Sequence, residues 1–186
     1  MKKILKISNI PNALSIFRLC LVPLFVYLFS IEKRYVAALT VFLAAGVTDV
    51  VDGVLARRFN WISDVGKILD PFADKCMQVA ALVCMGISGF IPYWVVAILS
   101  LKELVLFAGA LVALKKEKVY VQSNWYGKAG TVAFYIITTL LILIKNMPEA
   151  VKLVLGVFLI LFMLYALLMY VHNYRKNIVH SDSDSE

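Results

Sequence analysis

Asp49–Asp74 reads DVVDGVLARRFNWISDVGKILDPFAD, a stretch that sets aspartates into otherwise apolar sequence. It joins two apolar runs, Tyr35 to Arg57 upstream and Asp70 to Ser88 downstream. Each is close to the roughly 20 apolar residues that a membrane-spanning helix requires. An aspartate at the centre of such a helix costs about 2.5 to 3.5 kcal/mol, whereas each Leu, Ile, Phe or Val contributes only about 0.3 to 0.6 in return. Asp49 and Asp52 therefore offset most of the apolar gain of their run, unless they face a water-filled cavity, a cation or both.

The rest of the chain has the composition of a membrane protein. Of 186 residues 62% are hydrophobic, with a mean hydropathy of +0.84, against about half in soluble domains. Working outward, the other apolar runs are Ala13 to Ile31, Pro92 to Leu114, Gly127 to Ile144 and Glu149 to Tyr170. The expected fold is all-α: an integral membrane bundle of six transmembrane helices, preceded by an amphipathic juxtamembrane segment. That segment, Met1 to Pro11, alternates Lys2, Lys3 and Lys6 with Ile4, Leu5, Ile7 and Ile10 and suits an anionic membrane surface. It does not read as a signal peptide, because Arg18 interrupts the following run and no small-residue cleavage site appears. Residues 1–176 are expected to be one membrane domain and residues 177–186, ending in SDSDSE, a disordered cytoplasmic tail.

The formal charge of +7 lies mostly between the apolar runs rather than in one basic stripe, so no nucleic-acid partner is expected. Placing the N-terminus in the cytoplasm gives that side Lys2, Lys3, Lys6, Arg57, Arg58, Lys67, Lys115, Lys116, Lys118, Lys128, Arg175 and Lys176. The opposite side keeps Lys33, Arg34, Lys145 and Lys152. This asymmetry predicts a multi-pass protein of the cell membrane with both termini and its working face cytoplasmic. Cys20, Cys76 and Cys84 are odd in number, lie in apolar runs and form no CxxC pair, so neither a disulfide framework nor a zinc site is indicated. The absence of an internal repeat weighs against an inverted-repeat transporter.

Asp49 and Asp52 are three residues apart, and Asp70 and Asp74 four apart, which puts each pair on one helical face. On consecutive antiparallel spans, Asp49 and Asp74 become the deeper members and Asp52 and Asp70 the shallower, roughly 4.5 to 6 Å apart along the axes. Oxygen-only ligands in this arrangement suit Mg²⁺ or Mn²⁺, including a pair of ions about 3.5 to 4 Å apart. The alternative is a structural ion-pair cluster with Arg57, Lys67 and Lys75. Such a cluster has no need of Gly53 beside Asp52 or Gly66 ahead of Asp70, where missing side chains admit a ligand to the backbone. Arg57 adds a planar fork suited to phosphate. Carboxylates, glycines and arginine together describe a diphosphate site.

At these residues the chain resembles the CDP-alcohol phosphatidyltransferase family. The family signature is matched at every fixed position: Asp49, Asp52, Gly53, Ala56, Arg57, Gly66, Asp70 and Asp74. The upstream segment Ile10 to Arg18, IPNALSIFR, is similar as well. The resemblance implies attack by an alcohol oxygen on the diacylglycerol-side phosphorus of CDP-diacylglycerol, with CMP leaving. It implies two divalent ions on Asp49, Asp52, Asp70 and Asp74, with Asp74 also the catalytic base. It implies CDP-diacylglycerol binding by Asn12, Asp52, Gly53, Ala56, Arg57 and Gly66, and a homodimer.

Within the family, length and arrangement are most similar to the enzymes whose acceptor is glycerol 3-phosphate. A small phosphorylated alcohol needs cations beyond those on the diphosphate, and Lys75, Lys102 and Lys128 are the candidates. Against these roles stand mutual neutralisation of Lys102 with Glu103 and an interfacial anchor role for Lys128. Other acceptors, phosphatidylglycerol or inositol phosphate, stay open. So do two other classes, an intramembrane prenyltransferase and a divalent-cation transporter, although a transporter accounts for the acids but not for Arg57, Gly53 and Gly66.

Overall fold

The structure, a computed structural model, describes residues 10–59, 66–115, 125–144 and 147–183. Among them every long element is helical: α1 (Ile10–Val26, continued by a π-helical turn, Tyr27–Ile31), α2 (Tyr35–Phe59), α3 (Gly66–Ile87), α4 (Tyr93–Lys115), α5 (Trp125–Leu143) and α6 (Glu149–Ser183). Six helices stand where the six apolar runs were read, with shifted ends. The third helix begins at Gly66 rather than Asp70 and runs through Pro71, at the cost of the one helical hydrogen bond that its missing N–H cannot make. The sixth continues beyond Tyr170 to Ser183. No glycine or proline follows Gly156 to interrupt its hydrogen bonds, so residues 177–183, expected in a disordered tail, are helical. The juxtamembrane segment, apart from Ile10 and Pro11, lies outside the described residues.

Asn12–Ile31, Tyr35–Val54 and Glu149–Ala166 are long and apolar enough to cross a membrane, and Ala129–Leu143 is a shorter apolar helix. α3 carries Asp70, Asp74 and Lys75, and α4 carries Lys102 and Glu103. The helices turn large apolar side chains outward, among them Leu101, Leu104, Leu161 and Leu168. In water such a surface would aggregate; in a bilayer it faces its solvent. The chain is an all-α integral membrane bundle.

The helices close a ring. α1 packs along α2 and α3, α3 packs on α4, α4 meets α6, α6 lies on α5, and α5 returns to α2. One end of this ring is aromatic. Phe25 and Phe29 of α1 meet Phe42 of α2 at 5.9 Å and Phe90 at 5.7 Å respectively, and Tyr35 closes edge-on against Phe29 at 5.0 Å. Phe90 is aimed inward by the turn that ends α3. Gly89 adopts φ 72°, its N–H donates to the Gly86 carbonyl, and the Phe90 N–H donates to the Met85 carbonyl, a Schellman closure.

α3 and α4 approach closely at Gly86, where an added Cβ would lie 2.7 Å from Val96 Cγ2. Gly86→Val is expected to destabilise the protein by about 1 to 3 kcal/mol through overpacking. Thermal unfolding in detergent checks this, and an unchanged midpoint would contradict so close a contact.

Candidate functional site

At the other end of the ring, polar side chains replace aromatic ones. Asn12, Ser15 and Arg18 recur every three residues along one face of α1. Ser15 and Arg18 are completely buried. A buried guanidinium is tolerated only when paired. Arg18 Nη1 lies 2.7 Å from Asp49 Oδ1, and Nη2 donates to Asp52 Oδ2. One turn back, the Ser15 hydroxyl donates to the Asp70 carboxylate. A single face of α1 thus binds the acidic faces of both α2 and α3.

The fourth aspartate has different company. Gln78, one turn along α3 and buried, donates its side-chain amide to both Asp74 oxygens, at 3.0 and 2.9 Å. Lys75 Nζ lies 3.4 Å from Asp74 Oδ2 and 2.6 Å from Glu103 Oε2 on α4. Glu103 also accepts from its neighbour Lys102. The neutralisation of Lys102 by Glu103 anticipated from sequence is therefore present, but Lys75 shares the same carboxylate.

The four aspartates thus fall into two clusters. Asp49, Asp52 and Asp70 surround α1, while Asp74 lies with Lys75, Glu103 and Lys102 between α3 and α4. Gly53 follows Asp52 in α2, and Gly66 is the buried first residue of α3. Ala56, Arg57 and Lys128 lie in helices, with side chains outside the described set.

Among the described residues no three acidic, histidine or cysteine side chains converge on one point: Asp49 and Asp52 are turned to Arg18, and Asp74 to Gln78. The donor set nevertheless fits a hard divalent cation in type, since every carboxylate offers only oxygen. It fits in charge too. Asp49, Asp52, Asp70, Asp74 and Glu103 against Arg18, Lys75 and Lys102 leave two negative charges uncompensated among the described side chains of this cluster.

Asp49 opens sideways into a groove of about 370 Å³ between α2 and α5, lined by Leu43, Gly46, Val50, Thr131, Tyr135 and Ile136. Tyr135 forms part of its wall. The ring stacks on Phe42 with centroids 4.4 Å apart and lies over Gly46, where a Cβ would be 2.6 Å from the ring. Its hydroxyl is buried without a hydrogen-bond partner among the described residues.

Sequence reasoning missed Arg18, Ser15, Gln78 and Tyr135 as site residues. The three-residue recurrence of Asn12, Ser15 and Arg18 inside an apolar run was a usable signal for the first two. Gln78 could have been found from its one-turn spacing from Asp74. Tyr135 carried none, since a tyrosine in an apolar helix is ordinary packing.

The model of the CDP-alcohol phosphatidyltransferase family matches residues 8–175. The chain belongs to the CDP-alcohol phosphatidyltransferase family. A Bacillus subtilis member named CDP-diacylglycerol–glycerol-3-phosphate 3-phosphatidyltransferase is 32% identical over 75% of this chain and 79% of its own length. A Haemophilus influenzae member of the same name is 37% identical over 67% of this chain and 70% of its own. A Streptomyces coelicolor member named cardiolipin synthase (CMP-forming) is 37% identical over 68% and 61%. The chain spans 63% of the length of Mycobacterium bovis and Mycobacterium tuberculosis relatives named putative cardiolipin synthase, under two thirds.

Removing the Arg18 guanidinium would leave two aspartates facing each other without their cation. Arg18→Ala is expected to destabilise the bundle by about 3 to 5 kcal/mol, and adding Asp52→Asn should restore part of the loss. Thermal unfolding of the two variants in detergent provides the check.

Proposed function

We propose that this chain transfers the phosphatidyl group of CDP-diacylglycerol to glycerol 3-phosphate, releasing CMP and forming phosphatidylglycerophosphate. The observation that carries this is the gathering of the four signature aspartates at one end of α2 and α3, with Asp49 in the lining of an apolar groove. A lipid diphosphate needs both halves: oxygen ligands and cations for its head, and an apolar path for its tails. From Asp49 to Leu43 the groove follows α2 for roughly 9 Å, and it accepts one acyl chain of the donor.

Asp49, Asp52, Asp70 and Asp74 would hold Mg²⁺ or Mn²⁺, in two sites on the family pattern. Such ions supply charge neutralisation at the diphosphate and stabilise departing CMP. The protein's own groups do the rest. Arg57, one and a half turns past Asp52, offers its fork to the diphosphate, with Asn12, Gly53, Ala56 and Gly66 completing the nucleotide side. The acceptor hydroxyl attacks the diacylglycerol-side phosphorus; the bond from that phosphorus to the bridging oxygen breaks, and the hydroxyl proton passes to Asp74. Gln78 and Lys75 keep the Asp74 carboxylate oriented for that transfer. Lys75, Lys102 and Lys128 bind the acceptor's phosphate.

The names of the Bacillus and Haemophilus relatives support glycerol 3-phosphate as acceptor. The Streptomyces relative supports phosphatidylglycerol as the second reading. The lysine and arginine asymmetry supports a cytoplasmic working face in the cell membrane, where soluble CMP leaves while the lipid stays in the bilayer. A homodimer is part of the proposal.

Purified protein in detergent, offered CDP-diacylglycerol with glycerol 3-phosphate, phosphatidylglycerol, inositol phosphate or serine, should release CMP fastest with glycerol 3-phosphate. A faster rate with another acceptor would overturn that assignment. Stabilisation against heat by Mn²⁺ alone, with no further gain from CMP, would instead favour cation transport.

Asp74 and Asp49 should differ in what their amides spare. Asp74→Asn is expected to reduce turnover at least about a hundredfold, in the range of general-base loss, while Mn²⁺-dependent CMP binding survives; Asp49→Asn should lose both. Calorimetry beside CMP release tests this. Equal loss of CMP binding in the two variants would make Asp74 chiefly a ligand.

A further inference from the structure

Between α3 and α4 runs a continuous chain of polar contacts, from Gln78 through Asp74, Lys75 and Glu103 to Lys102. Glu103 is its pivot. It is only 2% exposed, on a helix whose outer face is Leu101, Leu104 and Val105. Its two oxygens serve two different ammonium groups: Oε2 lies 2.6 Å from Lys75 Nζ, and Oε1 accepts from Lys102 Nζ.

One carboxylate cannot neutralise two ammonium groups. Lys75 meets the remainder of its demand at Asp74 and at Gln78 Oε1, both 3.4 Å away. Lys102 does not. Beyond Glu103, its neighbour among the described residues is the Met163 thioether at 3.4 Å, a weak acceptor, although the ammonium has three donors and the side chain is only 10% exposed. A nearly buried ammonium with donors to spare is a seat for an anion.

We propose that Glu103 is a positioning residue for the acceptor: it holds the Lys75 and Lys102 ammonium groups together, beside Asp74, as a two-cation seat for the acceptor's phosphate. This rests on the reading of a phosphorylated alcohol as acceptor. In a small phosphorylated polyol the phosphate and the reacting hydroxyl are a few bonds apart, so anchoring the one at Lys75 and Lys102 brings the other to Asp74. The charge of Glu103 gives the idea a sign. A mere counter-ion weakens anion binding, so neutralising it would leave acceptor affinity unchanged or tighter. A positioning carboxylate strengthens anion binding, and neutralising it releases the two lysines and weakens the acceptor.

The test measures CMP release from CDP-diacylglycerol with Mn²⁺ and varied glycerol 3-phosphate, using full-length wild type, Glu103→Gln, Glu103→Asp, Lys102→Met and the Glu103→Gln/Lys102→Met double variant. Mn²⁺-dependent CMP binding is followed alongside by calorimetry. Glu103→Gln should raise the acceptor KM roughly tenfold or more, the scale of one charge-assisted hydrogen bond, with a smaller change in kcat and CMP binding retained. Glu103→Asp should lie between it and wild type. On the Lys102→Met background the effect of Glu103→Gln should shrink, because its partner is gone. An unchanged or lowered KM in Glu103→Gln overturns the proposal. Should that variant fail to fold, Lys102→Met decides: a raised acceptor KM supports the seat, and an unchanged one overturns it. Wild type preferring a neutral alcohol or phosphatidylglycerol overturns the functional reading and this inference with it. Preference for glycerol 3-phosphate, with acceptor KM unmoved in the variants, overturns this inference alone.

Discussion

A guanidinium with no exposure, on a helix that crosses hydrocarbon, must take its partners from neighbouring helices, and Arg18 takes Asp49 and Asp52. Much else in the bundle depends on this pairing. In a bilayer, apolar contact specifies helix arrangement weakly, because lipid tails are as apolar as leucine. Polar links are directional. Shifting α1 by one residue would turn Arg18 about 100° away from α2, leaving three charges uncompensated. Ser15 adds the corresponding link to Asp70 on α3. The register of α1 against the two aspartate-bearing helices is therefore set by electrostatics, and apolar packing fills in around it.

The bundle divides its work between its ends. Aromatic rings from α1 and its π-helical continuation, α2, α5 and the α3–α4 turn interlock at one end. At the other end, the carboxylates of α2 and α3 gather around Arg18, Ser15, Gln78 and Lys75. The groove beside Asp49 opens from this polar cluster onto the apolar wall between α2 and α5. Glycine at position 46 is part of that joint: without a Cβ it lets the Tyr135 ring lie directly over α2.

The polar end is itself organised in two clusters with different partners. Three aspartates are gathered around α1, and the fourth is held by Gln78 and Lys75 beside Glu103. Four carboxylates that look equivalent in the motif thereby have different hydrogen-bond and ion-pair partners.

The helices and the placing of two aspartates on each of α2 and α3 were legible in the sequence, because hydropathy runs and motif spacings are local properties; that Asp70 would meet Ser15 of α1 while Asp74 meets Gln78 and Lys75 was not. The family was legible for the same reason, its signature lying within one stretch from Asp49 to Asp74. Helix ends were less so: α6 runs on to Ser183 because backbone hydrogen bonding continues until something interrupts it, whatever the polarity of the side chains. Partnerships across the bundle were not legible. That Arg18 would bind Asp49 and Asp52, that one glutamate would hold lysines from two helices, and that Tyr135 would wall a groove against Gly46 all depend on which faces meet. Those meetings join residues such as Arg18 and Asp52, or Gly46 and Tyr135, that are distant in sequence, and only the packed structure sets the distances between them.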